Sequence, residues 1–196
     1  MSRFETICRE ASRLFAERGA DAVSMRDVAD ACGITVAALY YHFSSKEDLY
    51  EEVAKLQIEL FMDTLRRGRA ALAPGEETPS RVVALVLDVV LADPTLFLLT
   101  QRDLHRGDRG TRQAQSREHF AQARAFLRET LERYHGEPVT EHEVFALACI
   151  VTGYCEYVHA DARTAGQERE AFIAEQRAGL IDVVRRAFET RRGTKP

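Results

Sequence analysis

The chain lacks what several protein classes require. No apolar run approaches the roughly 18–20 residues that span a bilayer. The longest, residues 82–92, has eleven residues and contains Asp88. The start, Met1-Ser2-Arg3-Phe4-Glu5, has no charged flank leading into an apolar core, so no secretory signal is expected. Four cysteines, Cys8, Cys32, Cys149 and Cys155, lie far apart except for the last pair. They are expected as reduced thiols in a cytosol. Six residues on a helix rise by about 9 Å, too far for an internal Cys149–Cys155 bridge. Basic charge is also scarce. The net charge is −4, and residues 1–50 carry six Lys+Arg against eight Asp+Glu. A bulk basic surface is excluded, so nucleic-acid binding must rest on a few placed groups. No phosphate-binding loop, dinucleotide fingerprint, paired-histidine metal motif or nucleophile elbow occurs. No catalysis, metal or cofactor is therefore expected. Cys155 and His159 stand one helical turn apart, but two ligands do not make a metal site.

What is present is an ordinary globular composition of 196 residues, 45% hydrophobic and 30% charged. Its rhythm is helical throughout. Phe4, Ile7, Cys8, Ala11, Leu14 and Phe15 follow the i, i+3, i+4, i+7 pattern, and Gly19 stops that helix. Ser24 and Asp27 form a capping pair for a second helix carrying Met25, Val28 and Ala29. Thr35 caps a third, with Leu39 and Phe43 one turn apart. Lys46-Glu47-Asp48 opens a fourth, striped by Leu49, Val53, Leu56 and Leu60. Residues 82–91 are rich in β-branched side chains and would suit a buried strand. The length between Thr78-Pro79 and Pro94 favours a buried helix instead. Further helices are expected from Thr95 to His105, from Gln113 to Tyr134, from Thr140 to His159 and from Glu168 to Arg191. Thr140 and Glu143 form a capping box there, with Val139 and Val144 as its hydrophobic staple. The Arg106-Gly107-Asp108 tripeptide falls in a loop and is read as carrying no adhesion role. The fold expected is all-α with about nine helices. Residues 1–48 are expected as one domain and 49–196 as a second.

Residues 24–43 carry the information about function. Two short helices about a tight turn at Gly33 make a helix-turn-helix. Ile34, Leu39 and Phe43 are expected to hold the second helix against Phe15 and Val28. That leaves Val36, Ala37, Tyr40, Tyr41 and His42 on or near the opposite face. Small side chains at the helix start admit it to a major groove about 12 Å wide. Val36 and Ala37 suit thymine methyls; Tyr40, Tyr41 and His42 suit phosphates or base edges. Lys46, at the start of the next helix, suits a phosphate.

The strings Ser24-Met25-Arg26-Asp27-Val28-Ala29, Gly33-Ile34-Thr35, Leu39-Tyr40-Tyr41-His42-Phe43 and Ser45-Lys46-Glu47-Asp48-Leu49 resemble the DNA-binding domain of the TetR family of bacterial repressors. The resemblance covers roughly residues 4–52. It implies a cytoplasmic, nucleoid-associated homodimer that binds double-stranded operator DNA and has no membrane partner. It also implies a small-molecule effector bound in the C-terminal bundle. Matching positions imply base-edge contacts from Thr35, Val36, Ala37 and Tyr41, and backbone contacts from Ser24, Tyr40, His42 and Lys46. Position 36, often polar or charged in the family, is valine here.

For the effector, the expected lining is Phe61, Leu65, Leu85, Asp88, Val89, Phe97, Leu98, Phe120, Phe126, Phe145, Cys149 and Thr152. Asp88, a carboxylate in an apolar helix, either pairs with an arginine or faces the pocket. Arg102, His105 and His119 are further candidates for an anionic ligand. Val158, Leu180, Val184 and Phe188 are expected at the dimer interface. Two other classes stay open: a helical adaptor using the Tyr-Tyr-His face as a protein hot spot, and a small all-α enzyme with scattered catalytic groups. DNA binding discriminates among them.

Overall fold

A computed structural model describes residues 2–105, 111–160 and 167–189. Among these residues are nine α-helices, one short 3-10 turn and no strand. They divide into two compact units, residues 1–63 with 93–120, and residues 64–92 with 121–196.

The first unit begins with α1 (Arg3–Arg18), capped by a Ser2–Glu5 box in which each backbone N–H donates to the other's side chain. Gly19 ends it at φ +85°. After a 3-10 turn at Ala20–Ala22, the Ser24–Asp27 box starts α2 (Met25–Ala31). Gly33, at φ +64°, turns the chain between α2 and α3 (Val36–His42). A Cβ there would meet nothing within 4 Å, so glycine is required by its backbone angle and not by crowding. Thr35 Oγ1 accepts the Ala38 N–H at 3.1 Å and caps α3. Ser45 does the same for α4 (Lys46–Ala70), accepting from Asp48 N–H at 3.0 Å.

Ile7, Leu14, Phe15, Val28, Leu39 and Phe43 share one core with Leu49, Tyr50 and Val53 of α4. The rings of Phe15 and Tyr50 lie 5.3 Å apart. The expected boundary after residue 48 would cut through this core, so the head is larger than the motif. Leu99 of α6 (Thr95–His105) also joins it. The divisions between the two units fall inside α4, between residues 92 and 93, and inside α7 (Thr111–His135).

The second unit is built around α5 (Pro79–Ala92), α8 (Glu141–Ala160) and α9 (Gln167–Phe188). The run at 82–91 is helical, with Val82, Val83, Val86, Leu87 and Val90 buried. Two polar ties fix α9 to α5. Arg177 Nε and Nη2 donate to the two Asp88 carboxylate oxygens, each at 2.8 Å. Glu189 Oε1, just past α9, accepts the Ser80 N–H at 2.7 Å and caps the start of α5. The Thr140–Glu143 box opens α8 as expected. A Cβ at Gly68 would stand 2.5 Å from Leu85 Cδ1, so the Leu85 side chain would have to shift to admit one. No single helix among the described residues is long and apolar enough to cross a membrane.

Candidate nucleic-acid interface

The exposed surface of α3 follows from which residue its short helix buries. Leu39 alone is buried among its seven residues. Counting from Leu39 at 100° per residue, Tyr40 and Tyr41 turn outward. Tyr41 is 88% exposed and Tyr40 50%. Thr35, Ala37 and His42 are exposed too. The His42 ring meets Tyr41 edge-on at 5.4 Å and lies 6.3 Å from Phe43, which stacks on Phe4 at 5.4 Å. Aromatic contact thus links the outward ring of His42 back to α1.

Val36 departs from expectation. It is half-buried and packs against the head's core, which limits how much of it can meet a base. Ser24 is exposed, but its hydroxyl is engaged in the cap. It accepts the Asp27 N–H and donates to Asp27 Oδ2. That hydrogen bond, with the Ser24 backbone N–H, holds the Asp27 carboxyl below the usual carboxylate range. Lys46 is half-buried at the first position of α4, beside the Ser44–Asp48 bonds. Arg26, exposed on α2, is a cation that motif reading left unassigned. Only its exposure on the first helix of the motif singles it out.

The expected effector residues divide between the units. Phe61, Phe97, Leu98 and Phe120 are half-buried in the first. Leu65 and Phe126 are buried core of the second, and Leu85, Val89 and Thr152 are half-buried there. Four candidates are placed otherwise than expected. Asp88 is neutralised by Arg177 and is exposed, so it is an inter-helix tie and not a pocket group. Phe145, 63% exposed, and Cys149, also exposed, lie on the outside of α8. His119 is buried, and desolvation lowers its pKa, disfavouring the charged form that an anion would need. The side chains of Arg102, His105 and His159 and the 106–110 loop lie outside the described residues.

The residues expected at the dimer interface are mostly turned inward. Val158, Val184 and Phe188 are buried in the protomer's own core, and Leu180 is half-buried. Neighbouring positions face outward instead: Phe145, Cys149, Gly153 and Tyr157 on α8, and Gly179, Val183 and Ala187 on α9. The cysteines are free thiols. Burial raises Cys8 to about 11 and Cys155 to about 12, which makes both poor nucleophiles at neutral pH. No cluster of three or more His, Cys, Asp or Glu among the described residues is placed to hold a metal ion.

A short capped helix, a glycine turn and a second helix with an outward polar-aromatic face define a helix-turn-helix module. Residues 7–53 match the family model described as bacterial regulatory proteins, tetR family. Residues 7–53 thus carry the DNA-binding module of that family. It is 40% identical over 76 residues to the HTH-type transcriptional repressor KstR2 of Rhodococcus jostii RHA1, a match covering 39% of this chain and 36% of that repressor. The chain thus aligns with little more than a third of that curated relative. Solved structures match over nearly the whole chain. FadR of Bacillus subtilis in complex with stearoyl-CoA has a TM-score of 0.70 at 16% identity, covering 92% of this chain and 97% of that one. AibR in complex with isovaleryl coenzyme A and operator DNA has a TM-score of 0.65 at 21% identity, covering 95% and 98%. At such identities the likeness establishes the fold.

Proposed function

We propose that this chain is a transcription regulator, a homodimeric repressor that binds double-stranded operator DNA and is released by a small apolar or amphipathic molecule. The observation that carries the reading is the outward row Thr35, Ala37, Tyr40, Tyr41 and His42 on α3, followed by Lys46. Tyr41 is the key residue. An aromatic side chain 88% exposed, on a helix with one buried residue, contributes nothing to the core. It suits a partner that supplies both apolar and hydrogen-bonding surface. Duplex DNA flanking the protein's own gene is the first target for a gel-shift assay. Tyr41→Ala will lower affinity for a bound operator by ~1–3 kcal/mol with the melting temperature unchanged. Undiminished operator binding removes Tyr41 from the readout. Failure of the parent protein to bind any duplex specifically removes the reading itself and leaves the adaptor and the small all-α enzyme.

A second copy is the proposed occupant of the exposed apolar face on α8 and α9. Pairing two helices from each chain across a two-fold axis makes a four-helix bundle. For the effector, the support is the apolar side chains of both units and the acyl thioesters held by FadR and AibR. In this proposal α4 carries the response, because one continuous helix starts at Lys46 and ends among second-unit residues. A ligand shifts the operator equilibrium only by its affinity difference between the two states, typically ~1–3 kcal/mol, and operator DNA must weaken ligand binding by the same factor. Stearoyl-CoA and isovaleryl-CoA are the probes to titrate, each with and without operator. A several-fold weaker affinity in the presence of operator identifies an effector. Equal affinities exclude the molecule tested from that role.

A further inference from the structure

We infer that the head reads its half-site chiefly through thymine methyl groups, an inference that rests on the DNA-binding reading above. The argument starts from side-chain chemistry. In the major groove, guanine is read by two-pronged bonds from arginine or lysine, adenine by asparagine or glutamine, and cytosine by acceptance into a carboxylate. Residues 33–45, spanning the turn, α3 and the start of the next cap, contain none of these six residue types, and the whole chain has no asparagine. No residue of this stretch can therefore make a two-pronged base contact.

The structure narrows what remains. A recognition helix contacts base edges mainly through its N-terminal residues. Here these are Thr35, Val36 and Ala37. Thr35 and Ala37 are exposed, while Val36 is partly taken up by the core. The Thr35 oxygen already accepts the Ala38 N–H at 3.1 Å. Ala37 has only a methyl group to offer. The surface brought to the bases is thus mainly methyl groups, with the Thr35 O–H as a single donor and the Tyr41 ring one turn further on. The base feature that apolar contact distinguishes in that groove is the C5-methyl of thymine. The cations nearest in sequence, Arg26 and Lys46, lie in the first turns of α2 and α4. The first helix of the motif crosses the sugar-phosphate backbone, so Arg26 positions the head without reading sequence. The acidic balance of residues 1–50 fits the same scheme, since affinity then depends on close apolar fit more than on bulk charge.

The test separates the methyl from every other feature of the base pair. Deoxyuridine differs from thymidine by that methyl alone and keeps each hydrogen-bonding group. The full chain is used to select bound sequences from a pool of randomised duplexes, and the enriched half-site is then made with each thymine replaced singly by deoxyuridine. The expected result is an enriched half-site containing thymine. At one or two positions the substitution weakens binding about three- to fivefold, the loss expected for one buried methyl, compounding when both half-sites are changed. The same duplexes are titrated against Thr35→Ser and Ala37→Gly. Thr35→Ser removes one methyl and keeps the capping oxygen, so the helix is retained; Ala37→Gly is checked by thermal melting. In the variant lacking the partner methyl, the deoxyuridine change will cost nothing further. An enriched motif that tolerates deoxyuridine everywhere, or whose fixed positions are all G·C pairs, overturns the inference and leaves the DNA-binding reading intact. A pool that enriches no motif overturns both.

Discussion

Leu39→Ala will destabilise the DNA-binding head by about 2–5 kcal/mol, the range for truncating a buried leucine that leaves a cavity. The size of the effect follows from the helix it sits on. Seven residues are too few for a helix to persist alone in water. Helix α3 is held by its Thr35 cap, by the Gly33 turn and by Leu39, its single buried side chain, wholly excluded from solvent. Phe43 and Ile34 flank it in the same core. A domain is stable by about 5–15 kcal/mol in total, so this one change removes a large share. Operator binding will fall with it, because the outward residues keep their geometry only while α3 is docked. Urea unfolding reads the loss as a lower midpoint with an unchanged slope. Tyr41→Ala, two residues along the same helix, will leave that midpoint alone. Equal midpoints for Leu39→Ala and the parent would show that α3 is held by something other than this contact.

The motif was legible because each of its determinants is local. Ser24 with Asp27, Gly33, and Thr35 before Ala38 act within three or four residues of themselves, and their chemistry decides the turn whatever packs nearby. The same holds for Thr140 with Glu143. The 82–91 run was decided by its flanks, since its composition alone suited a strand. What was not legible depends on partners distant in sequence. Asp88 meets Arg177, 89 residues away, and either fate of that carboxylate was consistent with an apolar helix. Leu99 joins the head's core from α6, and no periodicity in residues 1–50 points to it. The outward face of α9 was missed for a further reason. Val184 and Phe188 are the bulky apolar stripe, and bulk goes to the nearest core. The neighbouring stripe, Gly179, Val183 and Ala187, is small and carries little hydrophobic signal. A 100° step along a helix separates the two, so one residue of register decides whether a valine is core or surface.

That register sets the largest effect expected. Phe145→Glu or Val183→Glu will convert the proposed dimer to monomers and abolish operator binding while leaving each chain folded. Both side chains stand out from the protomer, Phe145 at 63% exposure and Val183 at 43%. A carboxylate at either place is solvated in the monomer and costs its fold little. In an interface related by a two-fold axis the same charge is introduced twice, and each copy must lose its water without a partner. Val184→Glu is the informative contrast. Val184 is fully buried in its own chain, so an ionised group there is paid for in folding and not in assembly. Sedimentation velocity with a thermal melt separates the cases. Val183→Glu will sediment as a folded monomer with near-parental melting, and Val184→Glu will melt far lower or fail to accumulate. Loss of operator binding in the first variant cannot come from the reading head, since neither residue belongs to that unit. It comes from losing the second head, whose half-site contacts are no longer tethered to the first. A Val183→Glu chain that stays dimeric would place the contact elsewhere on the protomer.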